Sequence, residues 1–94
     1  MVQAIAWQGE ISRSFTCTGK AAKTLLALVT AGPHGITALE LSNTWALRLS
    51  AYIYNLRHDY GLIIPVEREA HPGGWHGRYV LLTPVQVTKV DGNE

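Results

Sequence analysis

The chain has 94 residues, enough for one small domain with a single core, and its 47% of hydrophobic residues argues against a wholly disordered protein. The formal net charge is +1, so the chain carries no strong charge of either sign. No apolar run is long enough to cross a bilayer, no secretion signal is visible at the N-terminus, and a single cysteine excludes an internal disulfide, so we expect a cytoplasmic protein without membrane contact.

Residues 1–17 are predicted to form an N-terminal arm. Val2, Ala4 and Ala6 alternate with other residues, which is only a weak strand pattern. We therefore expect part of the arm to be disordered.

The first helix is predicted over residues 19–31. Thr18 precedes it and belongs to the residue types that cap helix N-termini, while Gly32 and Pro33 follow it and end it. Helical spacing predicts an apolar face made of Ala22, Leu25, Leu26 and Val29.

A short second helix is predicted over residues 37–41. Thr37 and Glu40 have the spacing of a capping box, in which a hydroxyl and a carboxylate satisfy the first backbone amides of a helix. The cap and turn formers at residues 42–44 should end this helix and start the next one after a tight turn.

The third helix should be the longest, over about residues 45–59, and Gly61 ends it. Its buried stripe is predicted from the i, i+4, i+7, i+11 spacing of Leu49, Ile53, Leu56 and Tyr60.

A β-hairpin is predicted after the third helix. Residues 62–68 are rich in β-branched side chains, and Pro65 restricts this strand to a sheet edge or to its own start. Residues 78–82 form the return strand, and the Pro/Gly-rich residues 70–77 between them predict a loop longer than a tight turn. Residues 84–94 are predicted to be a C-terminal tail that frays at its end.

This order of elements predicts one α+β domain over residues 18–83, with a three-helix cluster followed by a two-stranded hairpin. Residues 48–64 contain an Ile-x-x-Leu-Arg motif, then Gly61 and an apolar strand, and residues 77–81 include an aromatic residue in the closing strand. These features resemble the winged helix-turn-helix domains, in particular the small phage and prophage type, over residues 18–82. The resemblance implies DNA binding in most cases, although winged helices also serve as protein-interaction modules.

In this family the last helix lies in the major groove of double-stranded DNA, and the hairpin contacts the backbone as a wing. The resemblance therefore places residues 46–59 in the groove. Because Asn can pair with adenine and Arg with guanine, the side opposite the buried stripe suits base recognition, and the helix start suits phosphate. The predicted DNA contacts are Thr44, Arg48, Ala51, Tyr54, Asn55, Arg57 and His58 around the helix, and His76 and Arg78 in the wing.

Some of these residues have a second interpretation. The stem of Arg57 can instead pack on the wing, with its guanidinium paired to Asp59 or Glu67. Leu47 and Tyr54 are apolar groups on the same exposed face, and such groups can instead mark a site for a protein partner. In the wing, we expect Trp75 to fold back onto the sheet rather than to contact DNA.

We therefore predict a sequence-specific DNA-binding protein, a small transcriptional regulator of phage or mobile-element type. The low net charge stands against this prediction, because phosphate neutralisation supplies much of the affinity for DNA. A homodimer would double the contacts with DNA, and the sequence leaves this alternative open. The alternative is a winged-helix interaction module that docks on a host or partner protein.

No enzyme activity, cofactor or metal is predicted. His71 and His76 lack the paired spacing of zinc ligands, and Cys17 has no evident base partner that would make it a nucleophile. Glu67 and Glu69 lie on one face of a strand, where solvated carboxylates are more common than an acid–base pair.

Overall fold

The protein is described here by a computed structural model over residues 1–41 and 48–91. Within these ranges it forms five strands, two α-helices and one short 3₁₀ helix. In chain order these are β1 (Val2–Gln8), β2 (Ile11–Cys17), α1 (Gly19–Ala31), the 3₁₀ helix (Gly32–His34), α2 (Leu49–Tyr60), β3 (Val66–His71), β4 (Gly74–Tyr79) and β5 (Val85–Val90). Neither α-helix in the described ranges is long and apolar enough to span a membrane.

The two ends of the chain meet in one antiparallel sheet. β1 is the central strand, paired with β2 on one side and with β5 on the other. Val2, Ala4 and Ala6 alternate along β1 and are buried in the core. The segments that we predicted to be an arm and a tail therefore contain the three strands of this sheet. Residues 92–94, where we predicted fraying, lie outside the described residues.

Helix α1 has its predicted bounds. Thr18 takes the N-cap position, although its side chain makes no capping hydrogen bond. Of the predicted apolar face, Ala22 and Leu25 are buried, and Leu28 adds a third buried apolar side chain. This face packs on α2 and forms the centre of the core.

The predicted cluster of three helices is wrong for the described residues, which contain two α-helices. Residues 37–41 form a single turn in place of the second helix. The Glu40 amide donates to Thr37 Oγ1 at 3.1 Å, as in the predicted capping box, and the Leu41 amide donates to the Thr37 carbonyl at 3.3 Å. Because Leu39 stays exposed, the turn buries little of the apolar surface that would stabilise a longer helix.

Helix α2 contains the predicted buried stripe. Leu49, Ile53 and Leu56 are buried, and Gly61 ends the helix in the left-handed conformation at φ 65°. Tyr60 is only partly buried, and its hydroxyl donates to the Thr16 carbonyl of β2 at 3.0 Å. Residues 45–47 of the predicted helix, and the turn predicted at 42–44, lie outside the described residues.

The hairpin is present but displaced from its predicted bounds. Strand β3 begins at Val66, directly after Pro65, because proline has no amide to donate to a strand ladder. β3 pairs with β4 from Val66–Tyr79 to His71–Gly74, so the loop has two residues and is tighter than we predicted. Pro72 followed by a glycine at φ 92° is the pattern of a type II turn.

The base of the hairpin is tied to the segment that follows the 3₁₀ helix. Ile36 and Tyr79 exchange two backbone hydrogen bonds, both 2.8 Å long. Gly35 lies beside this bridge at φ 72°, and a Cβ there would lie 2.5 Å from the Tyr79 carbonyl oxygen. Only glycine fits this approach, so the hairpin is held close to the turn that precedes α2.

Candidate nucleic-acid interface

The outward side of α2 carries an exposed set of polar and aromatic side chains. The core covers the opposite stripe of the helix, so the predicted helix phase is correct. Ala51 lies half-buried at the edge of this side. The other predicted contacts on it are exposed: Arg48, Tyr54, Asn55 and His58. The predicted contact Thr44 lies outside the described residues.

Tyr54 and His58 form a flat pair on this side. Their ring centroids are 3.9 Å apart and the rings are stacked, as the i, i+4 spacing of a helix allows. Both residues are exposed, so the pair presents an aromatic surface to solvent.

Arg48, the N-cap residue of α2, and Asn55 lie on the same side of that pair and supply donors and acceptors. Neither makes a hydrogen bond or ion pair within the described residues. Their guanidinium and amide groups can therefore meet a ligand without first losing a partner among the described residues.

Arg57 has a structural role instead. Its Nε donates to the Ile64 carbonyl at 2.9 Å, and its Nη2 donates to the same oxygen. The guanidinium thus joins α2 to the segment that leads into β3. The alternative interpretation of Arg57 pairs it with Asp59 or Glu67, whereas the acceptor in the structure is the backbone carbonyl of Ile64.

The two predicted wing contacts are both held within the protein. Arg78 donates through Nε and Nη2 to the Glu69 carboxylate, at 2.5 and 2.9 Å, and through Nη1 to Glu40 Oε1 at 2.7 Å. His76 Nε2 lies 3.0 Å from Glu69 Oε1. The side chains of Arg78 and His76 are less than one-fifth exposed. Neither is therefore presented to an outside phosphate.

Charges in this cluster stabilise one another. The hydrogen bonds from Arg78 are the largest cause that lowers the pKa of the Glu69 carboxyl, to about 2, and the Glu69 carboxylate in turn raises the pKa of Arg78. The contact with His34 is the leading cause of the lowered pKa of Glu40. We call Glu40, Glu69, His76 and Arg78 the wing-root cluster. It joins both wing strands to the turn at residues 37–41.

The other face of the wing carries Arg68 and Trp75, neither of which is among the predicted DNA contacts. The Arg68 guanidinium carbon lies 4.0 Å from the centre of the Trp75 ring, which is a cation–π geometry. We expected Trp75 to fold back onto the sheet, and its ring lies against Arg68 of the neighbouring strand β3 while 57% of the residue stays exposed. The two residues are diagonal neighbours in the hairpin register. Their contact can therefore be predicted only when the two-residue turn, which sets that register, is known.

Within the described ranges the histidines and the cysteine form no metal cluster. Among the described residues there is no group of three or more His, Cys, Asp or Glu side chains that could hold a metal ion. Cys17 is fully buried, and burial raises the pKa of its thiol. Its sulfur is thus a core atom in this fold.

Comparison with known proteins supports the interpretation of this arrangement. A family model of a winged helix domain matches residues 14–91, which is most of the chain and includes both helices and the β3–β4 wing. Searches of curated proteins and of solved structures return no match. Winged helix domains bind DNA in general. The chain belongs to the winged helix domain family.

Proposed function

We propose that the protein is a sequence-specific double-stranded DNA-binding protein, a small transcriptional regulator of phage or mobile-element type that binds without catalysis. The observation that carries this proposal is the outward side of α2. It exposes Arg48, Tyr54, Asn55 and His58 on a helix whose opposite stripe is fixed by the core. A rigid helix with hydrogen-bonding groups on its open side is what major-groove recognition needs.

In this proposal α2 lies in the major groove. Asn55 would bond an adenine edge, and Arg48 would bond a guanine edge or a phosphate, depending on how deeply the helix N-terminus enters. The stacked Tyr54–His58 pair would contact sugars or a thymine methyl group.

The wing would hold the DNA backbone, through a different residue from those that the sequence suggested. Arg78 already donates to two carboxylates, so its guanidinium adds little positive potential outside. Arg68 is exposed and oriented by the Trp75 ring, and it makes no ion pair within the described residues. We therefore assign the phosphate contact of the wing to Arg68.

The proposal is tested by selecting the full chain against a random duplex library and sequencing the enriched DNA. We expect a recovered motif, and a palindromic one would indicate a homodimer. On that motif, Asn55→Ala should weaken binding by about 1–3 kcal/mol, whereas the exposed Gln86→Ala on β5 should bind like wild type. Enrichment of no motif would overturn sequence-specific recognition.

The exposed aromatic surface at Tyr54 favours one second candidate, a module that docks on a protein partner. Salt separates the two functions. DNA affinity should fall steeply between about 50 and 200 mM salt because bound counterions are released, while an apolar protein interface should change little.

A further inference from the structure

A groove lies on the molecule between the β1–β2 hairpin and the segments that enter and leave the wing. Four large apolar side chains line it although each is at least 40% exposed to solvent: Trp7, Ile11, Ile63 and Leu82. The groove encloses about 300 Å³. Exposed apolar groups that converge on a concave site of this size are typical of ligand pockets.

Backbone hydrogen bonds fix the walls of the groove. The Trp7 amide donates to the Pro84 carbonyl at 2.9 Å, and the Leu82 amide donates to the Ile63 carbonyl at 2.9 Å. The Ile63 amide donates to Thr83 Oγ1 at 2.8 Å. Since three chain segments are tied together here, the groove is formed before any ligand enters, and binding would cost little ordering of the protein.

Arg13 is the one charged side chain among the described residues that line the groove. It makes no ion pair within the described part of the chain. A Cβ on Gly61 would lie 2.9 Å from Arg13 Nη2, so the guanidinium occupies space that the glycine leaves open. Arg13 thus places a positive charge beside an apolar surface, with no carboxylate of the described residues to neutralise it.

We propose that this groove binds a small apolar molecule that carries a carboxylate. The four apolar side chains would cover the hydrocarbon part, and the Arg13 guanidinium would take the carboxylate through two parallel hydrogen bonds. The volume lies at the lower end of the range for small-molecule sites, which favours a flat molecule of about two rings over a protein segment. The groove touches Gly61, where α2 ends, and it shares no residue with the proposed DNA contacts, so the proposal does not depend on DNA binding.

The test uses 1-naphthoate as the probe and neutral 1-naphthamide as its matched control. Each is titrated into the ¹⁵N-labelled full chain, and the NMR signals of the Trp7 indole and the Gly61 amide are followed. We expect naphthoate to shift both signals in a saturable way and to bind about tenfold more tightly than naphthamide. Arg13→Gln should remove that preference, while Arg13→Lys should retain part of it.

Arg68→Gln is the control variant, because it also removes one exposed arginine but lies on the wing. It should bind naphthoate like wild type. Equal affinity for naphthoate and naphthamide, an unchanged affinity in Arg13→Gln, or shifts that map elsewhere would each overturn the proposal. The proposal would also be overturned if the chain self-associated as its concentration rises, with a shift of the Trp7 indole signal and loss of naphthoate binding. A second copy of the chain would then occupy the groove.

Discussion

Arg68 and Arg78 lie on opposite faces of the same hairpin and have different surroundings. Arg78 faces the turn at residues 37–41 and donates to two carboxylates, while Arg68 faces solvent across the Trp75 ring. Their faces depend on the register of β3 with β4. The sequence alone did not give that register, because the Pro/Gly-rich segment allows turns of several lengths. For this reason the sequence led us to Arg78 as the wing contact and not to Arg68, the arginine that the structure exposes.

Glu69 should make the stability of the protein depend on pH. Its pKa is about 2 in the fold and about 4.3 in an unfolded chain, so its charge stabilises the fold above about pH 4.3, and this effect is lost as the pH falls toward 2. Glu69→Gln should therefore lower the free energy of unfolding at pH 7. The gap from wild type should narrow below about pH 4.3 in urea denaturation.

Glu67→Gln is the matched control for that experiment. Glu67 lies on the same strand, but it makes no ion pair within the described residues. Its substitution should leave the pH dependence of wild type in place. If the two variants showed the same pH profile, the wing-root cluster would not be the source of the effect.

Ile53 tests the phase of α2 through the core. Its side chain is fully buried in the core, and Ile53→Ala would leave a cavity that costs about 2–5 kcal/mol of unfolding free energy. Ser50→Ala, on the exposed side of the same helix, should change stability by less than about 0.5 kcal/mol. Similar losses of unfolding free energy for the two variants in chemical denaturation would show that a different face of α2 is buried.

At the scale of the element, the wing is positioned by its base. The Ile36–Tyr79 bridge and the wing-root cluster hold β3 and β4 against the segment before α2. Arg57 adds a third connection, from α2 to the Ile64 carbonyl. Two of these contacts tie the wing to residues 36–40, and the third ties α2 to the segment that leads into β3.

Gly35→Ala should release the base of the wing. The added Cβ would meet the Tyr79 carbonyl oxygen at 2.5 Å, in addition to the cost of its positive φ. Gly32→Ala has a similar positive φ and open space around the Cβ, so it measures the backbone cost alone. We expect Gly35→Ala to be less stable than Gly32→Ala by at least about 1 kcal/mol in thermal or urea unfolding. Equal losses would mean that the close approach is absent.

The elements differ in how far the sequence predicted them. The spacing of Leu49, Ile53 and Leu56 is local, so the phase of α2 follows from one helix alone. The sheet of β1, β2 and β5 joins both ends of the chain, and the alanines in β1 gave little hydrophobic contrast. The wing-root cluster depends on contacts between separate elements, which no spacing in the sequence shows.

At the scale of the whole molecule, the net charge of +1 is misleading as a guide to the surface. Glu40 and Glu69 are engaged with Arg78 and the neighbouring histidines, which leaves Arg48 and Arg68 without carboxylate partners in the described residues. A chain with a net charge near zero can thus have local positive charge at the start of α2 and on the wing, the two places that contact a duplex in the proposed function.

The central claim is that the outward side of α2 meets DNA, and amide NMR mapping tests it most directly. The ¹⁵N-labelled chain is titrated with the duplex recovered by selection. We predict the largest shifts on α2 at Ser50, Ala51, Tyr54, Asn55 and His58, with a second set in the wing at Arg68 and Trp75. Shifts confined to the sheet of β1, β2 and β5, with α2 unchanged, would contradict the account.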